Sequence, residues 1–200
     1  MRARDNPFAS DRVLEVRYRL PDGWTWEGLL DRLAGLGWRA AIVGPHGRGK
    51  TTLLEDLAPR LEARGFRVRT LTLWDEHPRL NREDRVRLRD LGLRDFVLLD
   101  GAEQLGRLPW LFLKLRCRRA GGLLITSHRP GLLPTLLECR TSPELLAGIV
   151  RELTGEELSG AEDLFTRHGG NLRSALRELY DCAIRVPSPR GGGSSRSGGR

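Results

Sequence analysis

Eight consecutive residues, Gly44, Pro45, His46, Gly47, Arg48, Gly49, Lys50 and Thr51, constrain the fold more tightly than any other part of the chain. They fit the pattern GxxxxGK[ST] without a mismatch. They also lie between an apolar run, residues 39–43, and a stretch, residues 51–61, whose leucines recur at helical spacing. Strand, glycine loop and helix in that order make a phosphate cradle. The glycines let successive backbone N–H groups face one anion, and the helix that follows points its positive end at the same place. Lys50 is then placed to neutralise β- and γ-phosphates and Thr51 to offer its hydroxyl to Mg²⁺, so residues 44–52, including Thr52, are the candidate nucleotide-binding segment. ATP and Mg²⁺ are the expected occupants. The pattern names no reaction, because kinases, GTPases and motor ATPases share it.

Around this loop the chain alternates short apolar runs with helical periodicity. Residues 13–20 alternate as an edge strand would, and residues 26–34 carry Trp26, Leu29, Leu30 and Leu33 at helical intervals before Gly35. Strands are expected at 39–43, 66–73, 96–99, 123–127 and 136–139. Helices are expected at 51–61, within the charged stretch 74–94, and at 108–119 with Pro109 as the first helical residue. This alternation predicts an α/β fold, a five-stranded parallel P-loop NTPase sheet with helices on both faces. After Thr141 the strands cease, and residues 142–153, 159–168 and 171–184 each open on a capping residue, which predicts a small C-terminal three-helix lid. The expected divisions are an N-terminal extension at 1–38, a nucleotide-binding core at 39–141, the lid at 142–186 and a disordered Arg/Gly/Ser tail at 187–200.

Composition narrows the function less than the motifs do. Lys and Arg number 34 against 26 Asp and Glu, a formal charge of +8, and Lys50 and Lys114 are the only lysines. A balance this mildly basic permits contact with nucleic acid and is equally met by a soluble surface. Cys117, Cys139 and Cys182 are widely spaced with no CxxC pair, which reads as reduced thiols. No apolar run approaches the length of a membrane span, and the first residues lack the apolar core of a signal peptide, so the expectation is a cytoplasmic protein with no membrane partner.

Four apolar residues, 96–99, lead directly to Asp100, which puts a carboxylate at the end of a buried strand in the manner of a Walker B motif and marks it as the second Mg²⁺ ligand beside Thr51. Glu103 is the nearest acid able to orient a water for attack on a γ-phosphate and is the candidate catalytic base. The strand at 123–127 ends in Thr126-Ser127-His128, and Ser127 or Thr126 is the polar group expected to sense that phosphate.

The order of these motifs resembles the AAA+ ATPases, in particular the branch with clamp loaders, replication initiators and transposition-helper ATPases. The resemblance covers residues 39–185 and rests on GPHGRGKT, FVLLDGAEQL, LLITSHR and GGNLRSALREL. The last segment is similar to the family's sensor 2 motif. It implies that Arg173 contacts the nucleotide phosphates and couples nucleotide state to lid position, with Asn171 capping that helix. The resemblance also implies a conformational change acting on a protein or nucleic-acid partner, and either self-association or assembly with a larger AAA+ partner. One departure stands out. The family places Glu immediately after the Walker B Asp, whereas Gly101 stands there in this chain. That leaves two further readings open, a nucleotide-gated binding module with little hydrolysis and a P-loop small-molecule kinase. No arginine finger is assigned among Arg116, Arg118, Arg119, Arg129 and Arg140.

Overall fold

The computed structural model describes residues 6–73 and 79–185. The expected C-terminal tail therefore lies outside the described residues, as do residues 74–78.

Leu29, Leu30 and Leu33 recur on one side of α2 (Trp26–Gly35), which starts where the Thr25 hydroxyl accepts the Gly28 N–H. β1 (Arg39–Val43) follows and is buried from Ala40 onward. The glycine loop then leads into α3 (Lys50–Ala63), which returns the chain to β2 (Arg67–Thr72). A short α4 (Arg82–Arg87), closed by a capping box between Asn81 and Asp84, precedes β3 (Asp95–Asp100). α5 (Arg107–Arg116), β4 (Gly122–Ser127) and β5 (Thr135–Glu138) complete the α/β part.

Every strand pairing is parallel, in the order β2-β3-β4-β1-β5. Strand periodicity divides the core. Ala40, Ile42, Phe96, Leu98 and Leu124 face the leucines of α2 and α3, while Ala41, Val43, Val97, Leu99, Leu123 and Ile125 face Leu88, Leu113 and Cys117 on the other side. From β1 the chain crosses to one edge of the sheet, at β2, and from the adjacent β4 it crosses to the other, at β5. Loops after such neighbouring strands leave a crevice at their carboxyl ends, and the glycine loop lies there.

α6 (Pro143–Thr154), α7 (Ala161–Arg167) and α8 (Leu172–Arg185) pack on one another through Leu146, Ile149, Val150, Leu164, Leu172, Ala175 and Leu176. Ser142 caps α6 by accepting the Leu145 N–H.

The structure corrects the reading of residues 13–20 as an edge strand. Ser10–Glu15 is a short helix, α1, and an extended segment follows it. Val13 and Val16 pack on the C-terminal helices, and the Tyr18 N–H donates to the Asp56 carboxylate at 2.7 Å, so neither the side chains nor that amide is directed to a sheet edge. Asn6 Nδ2 also donates to the Tyr180 carbonyl of α8. The helix expected at 108–119 is displaced at both ends. It starts at Arg107, which makes Pro109 its third residue rather than its first, and it gives way to a 3₁₀ turn at Cys117–Arg119. Pro is still tolerated at that third position because its N–H would have no partner inside the helix.

Candidate functional site

Backbone shape forms the cradle. Gly44, Gly47 and Gly49 all have positive φ, and Gly49 is the residue from which α3 begins. A Cβ on Gly44 would lie 2.8 Å from the Cys139 carbonyl oxygen, so the close approach of the loop to the end of β5 requires glycine there. Lys50 is the first residue of α3 and is buried. Its Nζ donates to the Pro45 carbonyl at 2.9 Å, which holds the ammonium within the loop. Burial pushes its pKa down from the ordinary lysine value, and the carboxylates of Glu103 and Asp100 act in the opposite direction.

Asp100 joins three elements. Thr51 Oγ1, in the first turn of α3, donates to Asp100 Oδ2 at 2.8 Å, and Thr126 Oγ1, from β4, donates to Asp100 Oδ1 at 2.5 Å. The Gly101 N–H in turn donates to Thr126 Oγ1 at 2.8 Å, so one hydroxyl satisfies both the carboxylate and the backbone after it. Of the two candidates at this strand end, then, Thr126 reaches the carboxylate. Ser127 turns its hydroxyl to the Arg129 backbone, donating to the carbonyl at 2.9 Å.

Gly101 has φ +83°, and a Cβ there would stand 2.7 Å from the Leu73 carbonyl oxygen. An L-residue on this backbone is both strained and crowded, which accounts physically for the absence of the expected Glu after Asp100. A single 3₁₀ turn, Ala102–Gln104, carries the chain back and brings Glu103 towards the loop. Glu103 Oε1 is 2.9 Å from His128 Nε2, while Oε2 is fully buried and has no hydrogen-bond partner. Burial raises the Glu103 pKa above the usual carboxylate value, opposed by its own backbone hydrogen bond and by the nearby charge of Lys50, with Asp100 raising it further. The rings of His46, in the loop, and His128 meet edge to face with centroids 3.6 Å apart. Lys50, Asp100, Glu103, His46 and His128 therefore face one crevice.

The C-terminal helices reach the same crevice. The Leu172 N–H donates to the Gly47 carbonyl at 3.1 Å, Arg48 Nη2 donates to the Gly169 carbonyl at 3.2 Å, and Thr141 Oγ1 donates to the Gly170 carbonyl at 2.8 Å. Asn171 caps α8 by accepting the Ser174 N–H at 3.0 Å. Arg173, exposed on the first turn of α8, is close enough for its charge to act on Lys50. Thr52 makes no side-chain hydrogen bond among those described, and His46 and Pro45 are exposed at the rim.

Sequence reasoning missed Tyr18 altogether, and it missed the partners that His128 and Gly47 take. Tyr18 comes from the N-terminal segment, lies with its ring against Gly49 and donates its hydroxyl to Cys139 Sγ at 3.5 Å. His128 pairs with Glu103, and Gly47 receives α8. Each joins residues far apart in the chain, and no spacing rule points to any of them.

No protein-family model matches the sequence, and no curated protein matches it. Solved structures do. AMPPCP-bound DnaA from Aquifex aeolicus aligns over 84% of this chain with a TM-score of 0.55 and 16% identity, and 64% of that protein is covered. The Thermotoga maritima RuvB Holliday junction branch migration motor aligns over 84% with a TM-score of 0.51 and 18% identity, again with 64% covered. Both are AAA+ ATPases. The chain has the AAA+ P-loop NTPase fold. It spans just under two thirds of the length of each of these structures. Within the AAA+ fold, the loop at 44–51 occupies the turn after β1 and Asp100 ends β3. Among the described residues no helix is long and apolar enough to cross a membrane.

Proposed function

We propose that the chain binds ATP with Mg²⁺ at residues 44–52 and hydrolyses it, and that the nucleotide state is passed to the C-terminal helices. The observation that carries this reading is the meeting of Thr51 and Thr126 on Asp100 beside a Glu103 carboxylate that keeps one buried oxygen unpartnered. Such an atom is costly to bury without a partner, and its position in the crevice suits a group held ready for a water or a phosphate-bound ligand.

The residues present fit the groups. The glycines at 44, 47 and 49 supply the positive-φ backbone on which a phosphate loop depends, and Lys50 Nζ is held by one neutral carbonyl that a phosphate oxygen would outcompete. Thr51 and Asp100 would hold the Mg²⁺. Among the described residues no group of three or more His, Cys, Asp or Glu side chains lies together as a metal site, so the ion would depend on the nucleotide for its remaining oxygens. When bound, the ion would neutralise the charge of the phosphates. Glu103 would accept the proton of the attacking water, with its raised pKa bringing it nearer to the working pH. Thr126 would hold Asp100 in position. Arg173 would meet the phosphate charge from the lid side, and the Leu172 to Gly47 bond would carry changes in the loop to α8.

The left-handed backbone at Gly101, which excludes an acid directly after Asp100, supports a second reading, in which the chain binds ATP and switches partner affinity with little hydrolysis. ATP affinity and turnover of wild type, Lys50→Ala and Glu103→Gln, with and without DNA, decide between them. The proposed ATPase predicts binding lost in Lys50→Ala, and binding kept with turnover lost in Glu103→Gln. Unchanged affinity in Lys50→Ala sinks the nucleotide site. A wild type that binds without turnover leaves the switch as the function.

A further inference from the structure

α5 has two apolar faces. Trp110, Leu113 and Cys117 face the sheet, as the inner face of a covering helix must. At about 100° per residue, Leu108, Leu111, Phe112 and Leu115 fall on the opposite side. They are 79%, 62%, 54% and 60% exposed, respectively. Four large apolar side chains exposed together along one helix are unlike the singly scattered apolar residues of an ordinary surface, and such a contiguous stripe points to an interaction site.

Charge selects the occupant. On the same helical projection, Arg107 and Lys114 border the stripe on one side and Arg116 borders it on the other, and all three are exposed. Arg118 and Arg119 stand at its end, and no acid occurs between Glu103 and Glu138. A second copy docked across a two-fold axis would set these cations against their own kind. The C-terminal residues 186–200 contain arginines and no acid, so they are repelled as well. An anionic lipid surface matches the charge. However, Trp110, the side chain best suited to a membrane interface, is turned inward onto the core, and the helix has only 10 residues to insert.

We infer that the outer face of α5 docks an acidic amphipathic segment of a partner protein, with apolar side chains on Leu108, Leu111, Phe112 and Leu115 and carboxylates on Arg107, Lys114 and Arg116. The surface lies outside the nucleotide crevice and does not depend on nucleotide binding for its argument. Its test is a displayed library of short helical peptides with fixed apolar positions at i, i+3, i+4 and i+7 and randomised flanks. The library is selected on the full chain and counter-selected on Leu111→Gln/Phe112→Gln, which keeps every charge.

The surviving peptides are expected to be enriched in Asp and Glu at the flanks. A representative peptide is expected to bind the double variant roughly tenfold more weakly or worse, and to lose affinity as salt rises. Circular dichroism and ATP binding of the double variant are expected to match wild type, since both side chains are on the surface. Survivors with neutral or basic flanks, or no survivors, overturn the inference. So does wild type sedimenting as a dimer that the double variant abolishes, which assigns the face to a second copy. Binding to phosphatidylserine vesicles that the double variant abolishes assigns it to a membrane and overturns the inference too.

Discussion

Thr126→Val keeps the shape of a fully buried side chain and deletes one hydroxyl, which makes it the sharpest test of how the end of the sheet is held together. The hydroxyl donates to Asp100 Oδ1 and accepts from the Gly101 N–H, so its loss leaves a carboxylate oxygen and a backbone donor without their partner. A hydrogen bond to a charged group is worth about 1.5 to 3 kcal/mol, and an unsatisfied buried donor costs about 1 to 3 kcal/mol. Thr51 still holds Oδ2, and Asp100 is only half-buried, so the lower parts of those ranges apply and the sum is about 2.5 to 4 kcal/mol. For a chain of this size that corresponds to a fall in Tm of roughly 5 to 15 °C. Ser127→Ala is the control. It removes neutral, local bonds to the Arg129 backbone and should cost about 1 kcal/mol or less. Thr126→Ser restores the hydroxyl and should recover most of the loss. Thermal unfolding and urea titration of the three variants read the difference, and a Thr126→Val no less stable than Ser127→Ala refutes the shared-hydroxyl arrangement.

Three further outcomes follow from the crevice. Glu103 has a folded pKa above its unfolded value, so the folded state holds its proton more tightly and stability falls as pH rises from the unfolded pKa through the folded one. Glu103→Gln should therefore unfold at a higher temperature than wild type at neutral pH and lose that advantage in acid. In wild type the acidic limb of the turnover profile should lie above the ordinary glutamate range, and scanning calorimetry and turnover against pH check both. Gly47→Ala forces a left-handed residue and drives a methyl into the space of Asn171 Oδ1, so it should cost about 1 to 2 kcal/mol of backbone strain and up to about 1 kcal/mol of α8 capping. Amide exchange in the first turn of α8 should quicken, and unchanged protection there refutes the proposed link between loop and helix.

The parts of this architecture legible in the sequence are those set by local rules. The glycine loop carries its own conformation, the strands at 39–43 and 123–127 are largely apolar runs because both faces are covered, and two of the three C-terminal helices begin on the capping residues Ser142 and Asn171, whereas α7 starts at Ala161 with no side-chain cap instead of opening on Ser159. The edge-strand reading of residues 13–20 failed because alternation states only that two sides differ. It does not say that Val13 and Val16 have the C-terminal helices to pack on, or that Asp56 takes the Tyr18 amide. Likewise, Ser127 and Thr126 were equivalent in the sequence, and only the direction of each side chain from the end of β4 separates them. The pairing of Glu103 with His128 depends on the left-handed turn at Gly101, which a one-dimensional pattern records only as a missing acid.

That missing acid and the N-terminal segment bear on the same question, how the proposed coupling between the loop and the C-terminal helices would be carried. Gly101 takes a left-handed turn against Leu73, and Glu103, two residues on, pairs with His128. Tyr18 packs on Gly49, where α3 begins, while the residues on either side of it are tied elsewhere. Arg17 bonds Asp56 of α3, Arg19 bonds Glu152 of α6, and Asn6 bonds the Tyr180 carbonyl of α8. The segment thus spans the loop, α3 and two of the three lid helices, in parallel with the direct bond from Leu172 to Gly47. Two connections in parallel thus tie the C-terminal helices to the loop and to α3. A phosphate that reshapes residues 44–49 would then shift α8 as a body and not merely fray its first turn.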